Sequence, residues 1–366
     1  MLETFNLKQA VRPLLIWYEQ NKRTLPWRQQ VSPYRVWISE IMLQQTRVEA
    51  VKPYFERFTR ELPDICALAE CPEEKLLKLW EGLGYYNRVR NMQIAAQTVM
   101  EQYGGELPAD YEQLLQLKGI GNYTAGAIAS IAYGIPVPAV DGNVLRVIMR
   151  LTGDDSDIMK QSVKTKVERA LLPVMPENEA GAFNQALMEL GATVCVPNGA
   201  PNCEVCPWKT FCSAGLEGSY DRLPVKSKAK ARKIEHRTIL LIRDGEHVVL
   251  QKRSKKGLLA GLYEFPNYLA EYSEEEALEK VRELHLHPLR IRKLPDAKHI
   301  FSHVEWHMQG YMIQVDTLTR EESGLMFAEI AEAEEKYAIP SAFAAYTKQL
   351  NLKQGAAAAK ADQGVL

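Results

Sequence analysis

Four cysteines lie close together in the chain at spacings typical of a metal site. Cys195, Cys203, Cys206 and Cys212 form the pattern C-x7-C-x2-C-x5-C, and the other two cysteines lie far upstream. Four thiolates this close repel one another unless a metal holds them, and tetrathiolate sites suit zinc or an iron–sulfur cluster. Structural zinc sites often use two C-x2-C pairs, whereas this pattern has one. The residues therefore favour a cluster, with zinc and free thiols as alternatives.

Glu40 is the first carboxylate that could do chemistry. It lies in the segment Trp37–Thr46, whose apolar residues recur at helical spacing. The spacing predicts a helix that places Glu40, Gln44 and Arg47 on a face away from the apolar stripe. Such a carboxylate could move a proton in a reaction, or it could be a solvated side chain paired with Arg47. The local pattern leaves both interpretations open.

Asp141 is the second candidate carboxylate. It precedes a Gly-Asn pair in the segment Pro138–Val144. An aspartate in this position is commonly the N-cap of the next helix, where its side chain accepts a backbone N–H. A catalytic role is the alternative, and the segment alone supports the two equally.

A glycine-containing turn joins two short helical patterns in the first half of the chain. The patterns cover residues 111–117 and 124–132, and Gly119 and Gly121 lie between them. Two glycines in so short a turn permit positive φ and a close approach of the backbone. The free N–H groups that begin the second helix are a natural seat for a phosphate. The turn is therefore either a DNA-phosphate site or an ordinary turn between packed helices.

The elements that position these residues fall into distinct regions. Residues 1–220 are rich in helical patterns, residues 221–236 form a polar, basic linker, and residues 237–350 have the texture of an α+β domain. Two β-rich segments flank Asp244-Gly245, which indicates a hairpin. Residues 351–366 include a low-complexity stretch, and we expect this tail to be disordered.

Composition bounds the class of protein. The chain has 366 residues, 46% hydrophobic and 25% charged, which is ordinary for a globular protein and comfortable for two domains. The formal net charge of −1 excludes simple bulk attraction to nucleic acid. Residues 221–237, however, hold seven Lys and Arg against two acidic residues. This basic stretch could follow a phosphate backbone or be a solvated linker.

The chain carries neither of the two sequence patterns of membrane or secreted proteins. No apolar run reaches membrane-spanning length, and the N-terminus reads as an amphipathic helix with no signal pattern. We therefore expect a cytoplasmic protein with no membrane partner. Six cysteines in such a protein argue for a metal site over a disulfide framework.

Taken together, these motifs resemble the helix–hairpin–helix glycosylase superfamily and, within it, the MutY-type adenine DNA glycosylases. The resemblance covers roughly residues 8–350, with several independent motifs in the expected order. The segments that carry it are Leu25–Arg28, Ser39–Thr46, Gly82–Tyr86, Leu117–Gly126, Val140–Val144, the four cysteines and Phe301–His303. The first cysteine spacer, Val196–Asn202, is longer than the family's usual one, and we expect the loop to bulge outward while the cluster survives.

The resemblance implies a fold and a role for each motif. The fold is a mainly α catalytic region, made of a six-helix barrel and a cluster module at residues 195–212, followed by a MutT-like α+β domain for lesion recognition. The implied roles are catalysis for Glu40, Asp141, Tyr123 and Asn143; ligation of a [4Fe-4S] cluster for Cys195, Cys203, Cys206 and Cys212; DNA binding for Gln45, Tyr85, Gly119 and Gly121; the adenine pocket for Trp27 and Arg28; and lesion recognition for Phe301, Ser302 and His303.

The resemblance also implies a reaction. A monomer associated with the nucleoid would bind double-stranded DNA, flip out adenine paired with 8-oxoguanine or guanine, and hydrolyse its N-glycosidic bond to leave an abasic site. Glu40 would protonate the departing adenine, and an ionised Asp141 would stabilise or attack the sugar cation. Superfamily members that also cut the strand place a lysine after the hairpin. Tyr123 stands there instead and cannot form a Schiff base, so we expect a monofunctional glycosylase.

Three other functions compete with this one. A bifunctional lyase acting on oxidised pyrimidines is disfavoured by Tyr123 and by the extra C-terminal domain. A nucleotide pyrophosphatase is disfavoured because the C-terminal half lacks the spacing and the paired glutamates of its metal site. A binding or electron-transfer protein that uses the cluster without excising a base is disfavoured by the paired carboxylates.

Overall fold

The structure is a computed structural model that describes residues 2–227, 231–318 and 325–352. The chain forms two compact units. The first comprises Met1–Glu70 and Asn91–Lys228, and the second comprises Cys71–Arg90 and Ala229–Leu366. The helices that precede the linker are α1 (Lys8–Asn21), α2 (Pro26–Gln29), α3 (Pro33–Leu43), α4 (Val48–Glu61), α5 (Ile65–Glu70), α6 (Glu73–Leu79), α7 (Asn87–Gln102), α8 (Tyr111–Gln116), α9 (Asn122–Tyr133), α10 (Gly142–Thr152), α11 (Gln161–Leu171), α12 (Ala180–Thr193) and α13 (Ser213–Glu217).

The core of the first unit is a helical core, as the sequence predicts. One hydrophobic cluster joins the apolar faces of α1, α10, α11 and α12, with Leu14, Ile148, Val167 and Leu187 fully or almost fully buried. Along each of these helices the buried apolar residues recur at three- and four-residue spacing. Each helix is therefore amphipathic and buries one apolar stripe in the core. The predicted helices on either side of the glycine turn are confirmed as α8 and α9.

The helix that carries Glu40 ends earlier than the sequence predicts. The apolar spacing predicts one helix through Arg47, but α3 ends at Leu43. Gln45 then adopts a left-handed backbone with φ of 60°, which no α-helix can continue. The prediction that Glu40, Gln44 and Arg47 share one helical face is therefore wrong. The early end releases Gln44 and Gln45 from the helix.

The second unit is built on a mixed sheet of seven strands among the described residues. The strands are β1 (Lys233–Arg243), β2 (His247–Lys252), β3 (Tyr263–Glu264), β4 (Asn267–Tyr268), β5 (Pro288–Ile300), β6 (Val304–Val315) and β7 (Leu325–Glu329), and the helices are α14 (Glu274–Glu283), α15 (Ile330–Lys336) and α16 (Ala344–Thr347). The main order is β3-β2-β1-β6-β5, with β4 beside β1 and β7 beside β2. The β1–β6 pair is parallel and the other pairs are antiparallel. The predicted hairpin around Asp244-Gly245 is confirmed as β1 and β2.

Both faces of this sheet are covered, because alternate residues of the central strands point to opposite sides. Ile239 and Leu241 pack on one face against residues near the C-terminus such as Phe343. Leu240 and Ile242 pack on the other face, against α14. The α+β texture that the sequence predicts for this half is therefore confirmed as a sheet with helices on its two sides.

Residues 71–90 pack with the sheet, although the sequence places them within the helical region 1–220. Glu81 accepts the backbone N–H of Ile339 at 2.7 Å and the ammonium of Lys78 at 2.8 Å. Glu74 accepts from Lys252 at 2.8 Å and from the hydroxyl of Tyr263 at 2.9 Å. These long-range bonds assign the segment to the second unit.

The linker and tail also differ in part from the sequence-based boundaries. Strand β1 begins at Lys233, so the last residues of the predicted linker 221–236 belong to the sheet. The predicted tail begins at residue 351, but Asn351 and Leu352 are described and Leu352 is buried against the core of the second unit; residues 353–366 lie outside the described residues. No described helix combines the length and the apolar character needed to cross a membrane.

Candidate active site

A cavity of about 660 Å³ in the first unit is lined by all the residues predicted for catalysis and for the adenine pocket. Its size lies in the range of about 300–1,000 Å³ that is usual for small-molecule sites. The predicted residues in its wall are Trp27, Arg28, Glu40, Gln45, Tyr123, Asp141 and Asn143. They come from α2, α3, α9 and α10 and from the loop after α3, so chain segments far apart in sequence build one site.

Glu40 is buried in this cavity, not solvated. It is 6% exposed because α3 is covered on several sides, and its neighbours Trp37 and Ile38 are fully buried. The Tyr123 hydroxyl donates a hydrogen bond to the Glu40 carboxylate. Burial raises the pKa of Glu40 to about 7; the Tyr123 hydrogen bond opposes this rise and the nearby charge of Asp141 adds to it. A carboxyl group with this pKa is half protonated near neutral pH and can donate a proton.

Asp141 is both the N-cap of α10 and a wall residue of the cavity. Its Oδ1 accepts the backbone N–H of Val144 at 2.8 Å, and its Oδ2 accepts the Asn143 side-chain amide at 2.8 Å. Burial raises the pKa of Asp141, and these hydrogen bonds act to lower it. The two interpretations left open by the sequence are therefore compatible, because the cap fixes the carboxylate in the cavity wall.

Asn143 is itself held by Arg146, which the sequence analysis did not single out. The Arg146 guanidinium donates to the Asn143 side-chain oxygen at 2.8 Å, to the carbonyl of Gly191 at 2.8 Å and to the carbonyl of Cys195 at 2.8 Å. A Cβ on Gly191 would lie 2.7 Å from the Asn143 Cβ, so only glycine permits this approach of α12 to α10. One arginine thus connects the Asp141 segment to the first cysteine.

Arg28 is anchored by a buried acid on α12 that was also not predicted. Glu189, whose side chain is 1% exposed, pairs with Arg28 at 2.9 Å and with Arg23 at 2.6 Å. Burial acts to raise the pKa of Glu189, but the bonds and charges of the two arginines outweigh it, and the pKa is lowered. The Arg28 Nε also donates to the Gln185 side chain at 3.0 Å. The sequence signal that could have predicted these contacts was the spacing of Gln185 and Glu189, which lie four residues apart on α12.

Trp27 closes the cavity beside Arg28. It is 6% exposed, and its ring packs edge-on against Phe55 with the centroids 5.5 Å apart. Pro26 begins α2, a single helical turn that sets Trp27 and Arg28 side by side. An aromatic ring and a hydrogen-bonding cation in one wall could contact a flat, nitrogen-rich ring such as a nucleobase.

Gln45 and Tyr85, the two side chains predicted to bind DNA, both have left-handed backbones. Gln45, with φ of 60°, is exposed and lines the cavity of the first unit. Tyr85, with φ of 47°, is 50% exposed and belongs to the second unit. A positive φ at a residue other than glycine or asparagine is uncommon and often marks a functional loop. Each side chain is thus presented on a strained turn.

Arg88 supports the turn that presents Tyr85. Its guanidinium lies over the rings of Trp80 and Tyr85, with 5.2 and 5.6 Å to the ring centroids. It also donates to the carbonyls of Leu83 and Gly84, both at 3.0 Å. The Tyr85 hydroxyl lies 3.0 Å from the Ser302 hydroxyl oxygen. The second unit therefore brings together Tyr85, predicted to bind DNA, and Ser302, predicted to recognise the lesion.

The lesion triplet forms the tip of the longest hairpin in the described sheet. Strand β5 ends at Ile300 and β6 begins at Val304, so Phe301–His303 make the turn. The Phe301 ring packs against His299 at 4.6 Å and against the buried Trp306 at 4.8 Å between ring centroids. Ser302 and His303 remain exposed. Phe301 thus anchors a turn that keeps the side chains of Ser302 and His303 exposed.

The glycine turn has the geometry that a phosphate site needs. Gly119 has φ of 81°, and a Cβ there would lie 2.8 Å from the Asn91 Cβ, so the position favours glycine on both grounds. Gly121 is the N-cap of α9 and has no side chain that covers the first N–H groups of the helix. The predicted DNA-binding role of the two glycines is consistent with this arrangement and stays a prediction.

The four cysteines lie in the loop between α12 and α13, and Cys195, Cys206 and Cys212 pack against the helical core. Trp208, between the third and fourth cysteine, is buried and donates its indole N–H to the carbonyl of Ala10 at 2.9 Å. Burial, with a smaller contribution from the neighbouring cysteines, raises the pKa of Cys206 to about 12. Among the described residues, no three His, Cys, Asp or Glu side chains are spaced as ligands of a single metal ion. The donor set itself, four thiols in one loop of which three pack against the core, has the chemistry of a thiolate-bound group.

Comparisons with known proteins agree with this architecture. The family described as "HhH-GPD superfamily base excision DNA repair protein" matches residues 38–173, and the NUDIX domain family matches residues 238–349. The predicted order of a helical glycosylase region and a MutT-like α+β domain is therefore confirmed. Among solved structures, the chain is similar to a thermostable thymine-DNA glycosylase, with 28% identity, a TM-score of 0.52, and 57% of this chain and 96% of that chain covered.

Curated relatives identify the family within this superfamily. An adenine DNA glycosylase from Buchnera aphidicola subsp. Acyrthosiphon pisum is 33% identical over 303 residues, which cover 82% of this chain and 85% of the relative. An adenine DNA glycosylase from Mus musculus is 35% identical over 361 residues, which cover 83% of this chain and 70% of the relative. The cavity that holds Glu40 and Asp141 agrees with these relatives. On these identities and coverages, the chain belongs to the adenine DNA glycosylase family.

Proposed function

We propose that this chain removes adenine paired with 8-oxoguanine, and adenine paired with guanine, from double-stranded DNA. The reaction is hydrolysis of the N-glycosidic bond of a flipped nucleotide, which leaves an abasic site for base-excision repair. The observation that carries the proposal is the pair of carboxylates in one base-sized cavity, of which Glu40 has a pKa of about 7.

Glu40 acts as the general acid. Adenine is a poor leaving group as an anion, and protonation of a ring nitrogen lets it depart neutral. The buried carboxyl of Glu40 holds a proton near neutral pH, while the Tyr123 hydroxyl fixes one of its oxygens by a hydrogen bond. After adenine departs, the same carboxylate can accept a proton from the attacking water.

Asp141 faces the sugar. As the glycosidic bond breaks, positive charge develops on the sugar ring, and a carboxylate on one side stabilises it or attacks it covalently. Two donors, the amide of Asn143 and the N–H of Val144, hold the Asp141 carboxylate in place and favour its charged form. Two carboxyl groups in one cavity with different hydrogen-bond partners thus take the acid role and the anion role.

The wall formed by Trp27 and Arg28 holds the flipped base. Trp27 supplies an apolar ring, and the Glu189 pair fixes the Arg28 guanidinium at 2.9 Å so that its direction is set before DNA binds. Gln45 fills the space that the base leaves in the duplex. We further propose that the enzyme does not cut the strand, because Tyr123 stands where a lyase needs an amine and its hydroxyl is already bonded to Glu40.

Lesion reading belongs to Ser302 and His303 in the second unit. 8-Oxoguanine carries an N–H at N7, where guanine has only an acceptor, and a serine hydroxyl can accept from it. Tyr85 stacks in the duplex beside the lesion, and its hydroxyl, 3.0 Å from the Ser302 hydroxyl, orients that group. Phe301 holds the turn against Trp306.

The four cysteines hold a [4Fe-4S] cluster in this proposal. A bound cluster would cross-link the loop of residues 195–212, which connects through Arg146 to Asn143 and Asp141. Arg150 also donates to the Cys195 sulfur at 3.4 Å and to the carbonyl of Val196 at 2.9 Å. Such N–H donation to sulfur is typical of iron–sulfur sites.

We predict that the purified protein is brown and contains about four irons. Replacement of Cys206 with Ser should remove the colour and lower the melting temperature, because a structural cluster stabilises the fold that binds it. Cys66→Ser, at an exposed cysteine far from the loop, is the matched control and should keep both. Elemental analysis that finds one zinc and no iron would contradict the cluster.

The partner base tests the substrate directly. Duplexes with labelled adenine opposite 8-oxoguanine, guanine or thymine are incubated with the protein under single-turnover conditions, and free adenine is measured. We expect fastest release opposite 8-oxoguanine, slower release opposite guanine and none opposite thymine. Equal release from all three duplexes would overturn the proposed specificity. Strand cleavage without alkali would overturn the proposal that the enzyme does not cut the strand.

A further inference from the structure

The first part of the basic linker, residues 223–227, is held by hydrogen bonds beside the active-site cavity. The backbone carbonyl of Leu223 accepts from Arg150 at 2.8 Å, and the carbonyl of Val225 accepts from the N–H of Ile158 at 3.1 Å. The N–H of Ser227 donates to the Asp157 carboxylate at 3.2 Å. These bonds lie on both sides of Lys226 and fix its backbone, although the sequence suggests only a polar connector.

With its backbone held by these hydrogen bonds, Lys226 lines the catalytic cavity. It shares the cavity wall with Lys164, which projects from α11, and with the carboxylates Glu40 and Asp141. Within residues 2–227, 231–318 and 325–352, neither lysine has an acidic side chain within ion-pair distance. The remaining acid of the wall, Glu189, is already paired with two arginines. The two ammonium groups therefore add net positive charge to the cavity wall.

A flipped nucleotide brings two phosphates to a cavity of this kind. The base enters, and the sugar and its flanking phosphates follow it to the entrance. Adenine itself is neutral and needs no cation, whereas a lysine ammonium is a good point-charge partner for a phosphate. We propose that Lys226 and Lys164 bind the phosphates that flank the flipped nucleotide, and that Asp157 is the positioning residue that holds Lys226 in place. This inference rests on the proposed base flipping.

The salt dependence of DNA binding tests the two lysines. The probe is a duplex with 2′-fluoro-2′-deoxyadenosine, which resists cleavage, opposite 8-oxoguanine, and its Kd is measured by fluorescence anisotropy from about 50 to about 200 mM KCl. Each lost phosphate contact should lower the slope of log affinity against log salt by about 0.9. We expect that decrease for Lys226→Ala and about twice that decrease for Lys164→Ala combined with Lys226→Ala.

Lys8→Ala is the matched control, because Lys8 is exposed and does not line this cavity. Its slope should equal that of the parent protein, and all variants should melt like the parent. A parent-like slope for the double lysine variant would overturn the proposal. So would an equal loss of slope in Lys8→Ala, because it would show that any lysine contributes.

Asp157 is tested through its coupling to Lys226. Asp157→Ala should lower the slope toward that of Lys226→Ala, and combining the two should add nothing, because both changes remove the same contact. Additive losses would overturn the positioning role. Adenine release is measured separately: a parent protein that binds the probe with the expected slopes but releases no adenine contradicts the proposed function and leaves the phosphate contacts standing.

Discussion

Replacing Glu40 with Gln should lower the rate constant for adenine release by at least about 100-fold while leaving the binding of the mispaired duplex intact. The amide keeps the size of the side chain and can still meet the Tyr123 hydroxyl, but it has no acidic proton for the departing base. The rate constant is measured under single-turnover conditions, and binding is measured by anisotropy. The two readouts separate loss of chemistry from loss of affinity.

The matched control for this variant is Glu49→Gln, at an exposed glutamate on α4 that pairs with Lys52. It should release adenine at the parent rate. If Glu40→Gln also keeps turnover within a few-fold of the parent, Glu40 has no part in the mechanism.

Glu40→Gln should also change how stability depends on pH. The unfolded carboxyl ionises near 4.5, whereas the folded one ionises near 7, so the unfolded chain loses its proton first as the pH rises. The free energy of unfolding contributed by Glu40 is therefore full below pH 4.5 and is lost as pH rises through 7. The loss is at most about 3 kcal/mol. Above pH 7 the variant should be at least as stable as the parent, so a misfolded variant can be recognised.

Replacing Ser302 and His303 together with Ala should lower the preference for adenine opposite 8-oxoguanine over adenine opposite guanine by roughly 5- to 150-fold, the equivalent of losing one good hydrogen bond of about 1–3 kcal/mol. In the proposed function these exposed side chains contact the lesion, and the packing of Phe301 on Trp306 should keep the turn in place without them. Release from the plain mismatch should change little, because the variant leaves Glu40 and Asp141 untouched. The measurement is the ratio of single-turnover rate constants on the two duplexes.

Tyr85→Phe refines this test. It removes only the hydroxyl that lies 3.0 Å from the Ser302 hydroxyl and keeps the ring that we propose stacks in the duplex. A smaller loss of preference than in the double variant is expected. Full retention of the preference in the double variant would show that the second unit does not read the lesion through Ser302 and His303.

Local patterns in the sequence predicted much of the fold. The hairpin at Asp244-Gly245 and the glycine turn before α9 were predicted correctly, because short-range turn chemistry and helix periodicity decide them. The end of α3 was not, since helical spacing carries no signal for the left-handed backbone of Gln45 that follows the helix. The assignment of residues 71–90 to the second unit was also missed, because it depends on long-range bonds such as that from Ile339 to Glu81.

The candidate site, like the fold, could be predicted only in part from the sequence. Resemblance to a family selected Glu40 and Asp141, but no pattern in the sequence revealed that Glu40 is buried, because burial depends on what surrounds α3. Glu189 and Lys226 were missed as wall residues for the same reason. The only sequence signal for Glu189 was its position four residues after Gln185 on α12. The only signal for Lys226 was its position in the basic stretch 221–237. Side chains that act through long-range contacts need the three-dimensional structure.

The most direct test of a protonated Glu40 is the pH dependence of adenine release from a duplex with adenine opposite 8-oxoguanine. The rate constant is measured under single-turnover conditions from acid to alkaline pH, with binding kept saturated at each pH. Because the acid must carry its proton, and the pKa of Glu40 is raised to about 7, free adenine should form fastest below neutral pH. The rate should then fall about tenfold per pH unit above about 7. No free adenine at any pH, or a rate that stays constant or rises above neutral pH, would contradict the account.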